Sequence, residues 1–200
     1  EHPLLEALRG YRCWVNDRDY EDGAKPALEN YEDGIEQALN EDWFSVSSWA
    51  LAEYIELADQ VNHGSRVQDA TEQAIDLLEA EYAGLEAHEG NAGRVLDAIT
   101  HVNINPLGSE VLDRIIEFCW TRAEYTNKKN NHRAERKYLR RIVRIKRQLD
   151  ESTEPVRDAI IESYEDEIEF QRTRGHLVTA TTIEEAINEC SNFASEERLN

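Results

Sequence analysis

The stretch from Lys128 to Arg147, KKNNHRAERKYLRRIVRIKR, holds ten of the 22 Lys and Arg residues of this 200-residue chain and only one acid, Glu135. At 100° per residue, Ala134, Tyr138, Leu139, Ile142, Val143, Ile145 and Leu149 share one broad arc of a helical wheel. Arg133, Arg136, Lys137, Arg140, Arg141, Arg144 and Arg147 fill the other, and only Lys146 breaks the division. An amphipathic helix of this kind must lay its apolar arc on other helices, which predicts an all-α protein with seven cations turned outward together. Outside the stretch, 12 basic residues face 41 acidic ones, a formal charge of about −29.

The same periodicity extends in both directions. Toward the C-terminus, Thr153-Glu-Pro155 opens a helix carrying Val156, Ile160, Ile161, Tyr164, Ile168 and Phe170, studded with Asp158, Glu162, Glu165, Asp166, Glu167 and Glu169. An antiparallel neighbour of that sign would neutralise much of the cationic stripe, so contact is expected between the basic helix and Pro155–Phe170. The last helix holds Ile183, Ala186, Ile187, Cys190 and Phe193, with Thr182 and Glu185 spaced as a cap.

Toward the N-terminus, residues 107–127 form a helix lined by Val111, Leu112, Ile115, Ile116, Cys119 and Trp120, preceded by a shorter one with Val95, Leu96, Ile99 and Val102. Ser65 and Gln68 read as a capping box opening a helix that stops near Gly90, and Gly64 as the stop of the helix before it. Residues 42–61 carry apolar side chains nearly all round and are expected to be the most buried helix. Leu4, Leu8, Tyr11 and Val15 mark the first helix, residues 18–23 a polar linker, and Pro26 the start of the second helix. All four prolines, Pro3, Pro26, Pro106 and Pro155, fall where a missing N–H is tolerated, at helix starts.

Composition narrows the class further. Forty-two acids against 22 bases, a pI near 4.6 and 17 Arg to 5 Lys describe an acid-coated protein suited to molar salt, where a Debye length of roughly 3 Å screens self-repulsion. A halophilic origin is therefore expected. Three widely spaced cysteines give no disulfide framework, and no apolar run reaches membrane-spanning length. A cytoplasmic location with no membrane association is the expectation, for a single all-α domain over 1–200 forming part of a longer protein. Ser195 and the acids after it read as the start of a further helix.

Helix pairs begin near residues 24, 65, 107 and 153, giving hairpin units at 24–62, 65–104, 107–150 and 153–193. Intervals of 41, 42 and 46 residues are those of an α-solenoid, in which each hairpin buries one face alone and a continuous core by stacking. A non-repeating helical bundle of eight to nine helices is the competing arrangement. Over about one hairpin, Gly175-His-Leu177-Val-Thr-Ala180 followed by Ile183-Glu-Glu-Ala186-Ile187 resembles the second half of a tetratricopeptide repeat. The layout is also similar to helical domains that precede other modules in uncharacterised archaeal proteins. These resemblances imply a concave face that binds proteins or peptides.

Three groups of residues merit weighing as sites. The seven-cation stripe suits phosphate or carboxylate because the guanidinium fork bonds bidentately, which allows a nucleic-acid backbone as ligand; no interleaved aromatic platform accompanies it. Arg94 and His101 satisfy the Arg-x6-His spacing that resembles the motif of HEPN-type ribonucleases, which would imply Arg94 on the phosphate and His101 in proton transfer. Asp59 with His63 and Asp97 with His101 are i,i+4 pairs, too few to complete a metal site, and no cofactor or small-molecule substrate is expected. Trp14, Trp43, Trp49 and Trp120, together with Cys119 and Cys190, lie on apolar stripes and read as core. The expected function is a non-catalytic protein–protein interaction or scaffolding module, possible partners including a second copy. The alternatives are a nucleic-acid-binding domain using residues 128–147 and a helical ribonuclease.

Overall fold

The computed structural model describes residues 2–18, 20–83, 89–175 and 180–197. Within them the chain is all-α, with nine α-helices and no strand. These are α1 (Pro3–Asp17), α2 (Lys25–Asn40), α3 (Phe44–Gln60), α4 (Gly64–Tyr82), α5 (Glu89–His101), α6 (Ser109–Lys128), α7 (His132–Gln148), α8 (Glu154–Thr173) and α9 (Ala180–Glu197). Residues 176–179, which carry part of the tetratricopeptide resemblance, lie outside the described residues. Pro3, Pro26 and Pro155 occupy the first turns of α1, α2 and α8, whereas Pro106 lies in the connection ahead of α6.

One turn is used four times. Asp42, Asn62, Asn130 and Asp150 take the left-handed conformation, with φ of 55°, 58°, 55° and 55°. In each, the next residue donates its N–H five residues back: Trp43 to the Ala38 carbonyl, His63 to Ala58, Asn131 to Thr126 and Glu151 to Lys146, at 2.8–2.9 Å. This is the Schellman closure of a helix C-terminus, built on Asp and Asn, whose short polar side chains tolerate the left-handed region. It explains two departures from the sequence expectations. Gly64 does not stop α3, because Asn62 already has, and Gly64 opens α4 with His63 in the cap position and no side-chain cap bond. The Ser65/Gln68 capping box therefore does not form, and Gln68 bonds forward to Glu72 at 3.0 Å.

Other boundaries shift for similar reasons. Residues 20–24 are a single π-helical turn running into α2 rather than a polar linker, and Gly23 and Ala24 are buried. A Cβ on Gly10 would lie 2.8 Å from the Gly23 carbonyl oxygen, and one on Gly23 would lie 2.8 Å from the Trp14 nitrogen, so this close approach requires glycine at both positions. Gly90 lies inside α5, and α4 ends at Tyr82. Thr182 sits two residues inside α9, and residues 195–197 continue that helix instead of starting another.

The chain forms two compact units, residues 1–115 and 116–200, divided within α6. In the first, α2 packs on α1 and α3, and α3 also packs on α4 and α5. The centre is α3, as its all-round apolar pattern predicts, with nine buried positions including Leu51, Ile55 and Leu57. The N-terminal half of α6 is tied to α4 by Arg114, which donates to Asp76 and, through two nitrogens, to Glu79 at 2.6–3.1 Å. In the second unit, α7 packs on α8 and α8 on α9. Its most extensively buried helix is α7, also with nine buried positions.

The two units share a turn–helix–turn module. Asp42 and Asn62 flank α3, Asn130 and Asp150 flank α7, and both α3 and α7 are 17 residues long. Each flanking pair lies 20 residues apart and the second pair follows the first by 88. At that offset, seven of the nine buried positions of α3 fall on buried positions of α7, among them Ser47 on Glu135, Ser48 on Arg136 and Leu51 on Leu139. The backbone module repeats; the side chains that fill it do not.

Candidate functional site

On α7 the buried residues span roughly 220° of the wheel. That is wider than the apolar arc, and it corrects the expectation that seven cations face outward together. Arg136 is 2% exposed and Arg141 5% exposed, because each stands at a margin of the apolar arc where packed neighbours cover it. The outward row is narrower: Arg133, Lys137, Arg140, Arg144 and Arg147, spaced i, i+4, i+7, i+11 and i+14, with Arg140 and Arg144 half-buried.

The buried and half-buried arginines hold the unit together. Arg136 donates to Glu167 of α8 at 2.6 Å and to the Ser163 carbonyl at 3.4 Å, and its guanidinium carbon lies 3.9 Å from the centroid of the Tyr164 ring. A planar cation on an aromatic face, with a carboxylate on its edge, satisfies both the charge and the flat surface. Arg140 donates to both carboxylate oxygens of Glu189 on α9, one at 3.0 Å, and to the Tyr164 hydroxyl at 2.9 Å. That hydroxyl in turn donates to Glu189 at 3.2 Å. Burial pushes the Glu189 carboxyl up, but the Arg140 hydrogen bond and charge outweigh it and its pKa falls below the ordinary value. The Glu189 hydrogen bond raises that of Arg140. The contact expected between the basic helix and Pro155–Phe170 is present, carried by Glu167 and Tyr164 of the latter.

A second buried network lies at the start of α7. Glu135 accepts from Ser163 Oγ at 2.7 Å, His132 Nδ1 at 3.2 Å and Asn127 Nδ2 at 2.9 Å. Asn127 also reaches Asp166 at 3.3 Å. The His132 ring packs edge-on to Phe170, 6.2 Å between centroids. Three donors on one carboxylate allow a charge to sit in the helix interface. A cavity of about 290 Å³ borders this network, lined by Trp120, Glu135, Leu139, Glu162 and Asp166 among others. A second cavity, about 280 Å³, opens between α7, α8 and α9; Arg140, Arg144, Arg147, Asn192 and Phe193 line it.

The remaining candidate residues are placed separately. Arg94 pairs with Glu53 of α3, and His101 donates from Nδ1 to the backbone carbonyl of Asp97 at 2.6 Å, so both reach protein groups within the first unit. Burial, then Glu53, raises the pKa of Glu56, with Arg94 and His101 opposing. Asp59 and His63 diverge: Asp59 accepts from the Asn103 N–H at 3.2 Å, and His63 Nε2 meets the Tyr20 hydroxyl at 2.5 Å. Among the described residues no three His, Cys, Asp or Glu side chains are grouped to hold a metal ion. No described helix is long and apolar enough to cross a membrane.

Two assignments to the core are corrected. Trp43 caps α3 at 44% exposure, where the turn carries it away from the α3 interfaces, and Cys190 is exposed although Cys119 is buried. The sequence reading overlooked Glu135, Tyr164 and Glu189. Only Glu135 left a signal: it is the one acid of the basic stretch and falls between Ile142 and Leu139 on the apolar arc. No protein-family model matches the chain, and no curated protein matches it.

Proposed function

We propose that the chain is a non-catalytic interaction module, its first ligand being a second copy of itself, joined through the outer faces of its first and last helices. The observation carrying this reading is a pair of exposed apolar rows. On α1, Leu5 (56% exposed), Leu8 and Val15 stand on one side; on α9, Ile183, Ile187 (59% exposed) and the thiol of Cys190 do the same. An apolar row left exposed on a packed helix gains free energy when another surface covers it. Charge supports a head-to-tail pairing, because Arg12 lies beside the α1 row and Glu184 beside the α9 row. Burial of five large apolar side chains supplies the drive and the flanking charges the register. A carboxylate-rich surface of net charge −20 makes such association salt-dependent, closing as repulsion is screened.

Sedimentation velocity across a salt series tests this. Wild type is expected to associate as protein and salt concentrations rise. Ile183→Lys with Ile187→Lys, and separately Leu5→Lys with Val15→Lys, should each return it to monomer with helical circular dichroism unchanged. Monomers at every concentration, or oligomers indifferent to both variants, would overturn it.

A further inference from the structure

The acid surplus of the chain is not shared between its two compact units. Residues 1–115 carry 25 Asp and Glu against 7 Lys and Arg, a formal charge of −18, and residues 116–200 carry 17 against 15, a formal charge of −2. The difference is built in helix by helix. On α2, Glu29, Glu32, Asp33 and Glu36 are all exposed, at i, i+3, i+4 and i+7, and the one cation of that helix, Lys25, pairs with Glu21. On α4, Asp69, Glu72, Asp76 and Glu79 follow one another at three- and four-residue steps. Like charges at these spacings repel along a helix. Cations join helices of this unit where Arg66 of α4 approaches Glu32 of α2 at 3.6 Å, where Arg94 of α5 meets Glu53 of α3, and where Arg114 holds Asp76 and Glu79. The second unit answers its acids with the ten cations of residues 128–147, as in Arg136 with Glu167, Arg140 with Glu189 and Lys146 with Glu151.

We propose that salt switches the fold of the first unit and leaves that of the second standing: at low ionic strength residues 1–115 open while 116–200 stay folded, and near molar salt both are folded. A unit of that length has a radius of gyration of about 13 Å. The Debye length is about 30 Å at 0.01 M salt and about 3 Å at 1 M, so each surplus charge repels all the others in the first case and only its neighbours in the second. Self-repulsion destabilises a compact state, and opening relieves it by moving the charges apart. The second unit, near neutrality, has little repulsion to relieve, and its partly buried ion pairs are screened only weakly. Helix α1 belongs to the first unit, so its apolar row is presented only in salt, whereas the α9 row persists. That consequence rests on the interaction proposed above; the switch itself does not.

Hydrogen exchange of the full chain, resolved by peptide mass spectrometry, tests this at a dilution where sedimentation shows monomer. Between about 1 M and about 0.01 M sodium chloride, amides of α2, α3 and α4 should lose protection by at least about a hundredfold, and those of α7 and α8 should hold within about threefold. Glu29→Gln with Asp33→Asn and Glu36→Gln should lower the salt concentration at which the first unit closes by at least about twofold. Asp158→Asn with Glu162→Gln and Glu165→Gln takes the same charge from exposed positions of α8 and should leave that concentration unchanged. Should the α2 variant fail to fold, the wild-type exchange profile decides by itself. Both units opening at one salt concentration, protection indifferent to salt, or equal effects of the two variants would overturn the proposal. Salt-dependent association with both units protected throughout would sink the switch and leave the interaction standing.

Discussion

The helices α3 and α7 occupy the same place in the same turn–helix–turn module, yet they are filled by opposite chemistry. The buried wall of α3 is small and uncharged, with Ser47, Ser48, Ala50 and Ala52, and the corresponding wall of α7 is Glu135, Arg136, Tyr138 and the half-buried Arg140. Small side chains let α3 approach three neighbours closely, with its polar contacts left to the rim, as in Tyr54 donating to Glu32 of α2. Large charged ones oblige α7 to find partners for Glu135, Arg136 and Arg140, supplied by Glu167, Ser163, Asn127 and Glu189. Even the charge seams are inverted: Glu53 of α3 meets Arg94 of α5, and Arg140 of α7 meets Glu189 of α9. A backbone module specifies where side chains are buried and leaves open whether they are oil or ions.

The largest break in this comparison is expected at Arg136. Arg136→Ala strips the partly buried Glu167 of its partner and Tyr164 of its cover, and should cost about 3–5 kcal/mol in urea unfolding. Its counterpart Ser48→Ala should change stability by under about 1 kcal/mol, or raise it, because the Ser48 hydroxyl is buried without a hydrogen-bond partner among the described residues. Next come Leu51→Ala and Leu139→Ala, both fully buried at equivalent positions. Each should cost about 2–5 kcal/mol by the same assay. A large loss in one and a negligible loss in the other would show that the modules are not equivalent.

Smaller again is the pH dependence carried by Glu189. Its folded pKa is depressed, so its stabilisation is complete above the unfolded carboxylate value, about 4.3, and is lost as pH falls through the folded value. Thermal melts from neutral pH downward should therefore show wild type losing its advantage over Glu189→Gln in acid, by roughly 1–2 kcal/mol in total. The smallest effect belongs to the exposed Arg9–Glu6 pair on α1, where Arg9→Gln should cost no more than about 0.5 kcal/mol and vanish in high salt.

Why some of this was legible from the sequence and some was not follows from range and chemistry. The helices are written in local periodicity, and α3 as the buried centre could be read from Trp49, Leu51, Ile55 and Leu57. Helix ends were read less well: Gly175 does close α8 in the left-handed region, but Gly64 and Gly90 were also given stop signals, whereas Asp42, Asn62, Asn130 and Asp150 close α2, α3, α6 and α7. The acidic helix α8 could be paired with α7 by sign, but Arg140–Glu189 joins residues 49 apart, and no local pattern marks it. Nor does a wheel reveal how wide an arc neighbours will cover, which is why Arg136 and Arg141 were assigned to the surface.

The most direct test of an ion-built core in the second unit is a double-mutant cycle on Arg136 and Glu167, using Arg136→Ala, Glu167→Ala and the double variant in urea unfolding. A coupling of about 1.5 kcal/mol or more, with the double variant less damaged than the two single losses summed, is the expected result. Additive losses with no coupling would contradict it, leaving Arg136 as a packed side chain whose charge does not hold α7 to α8.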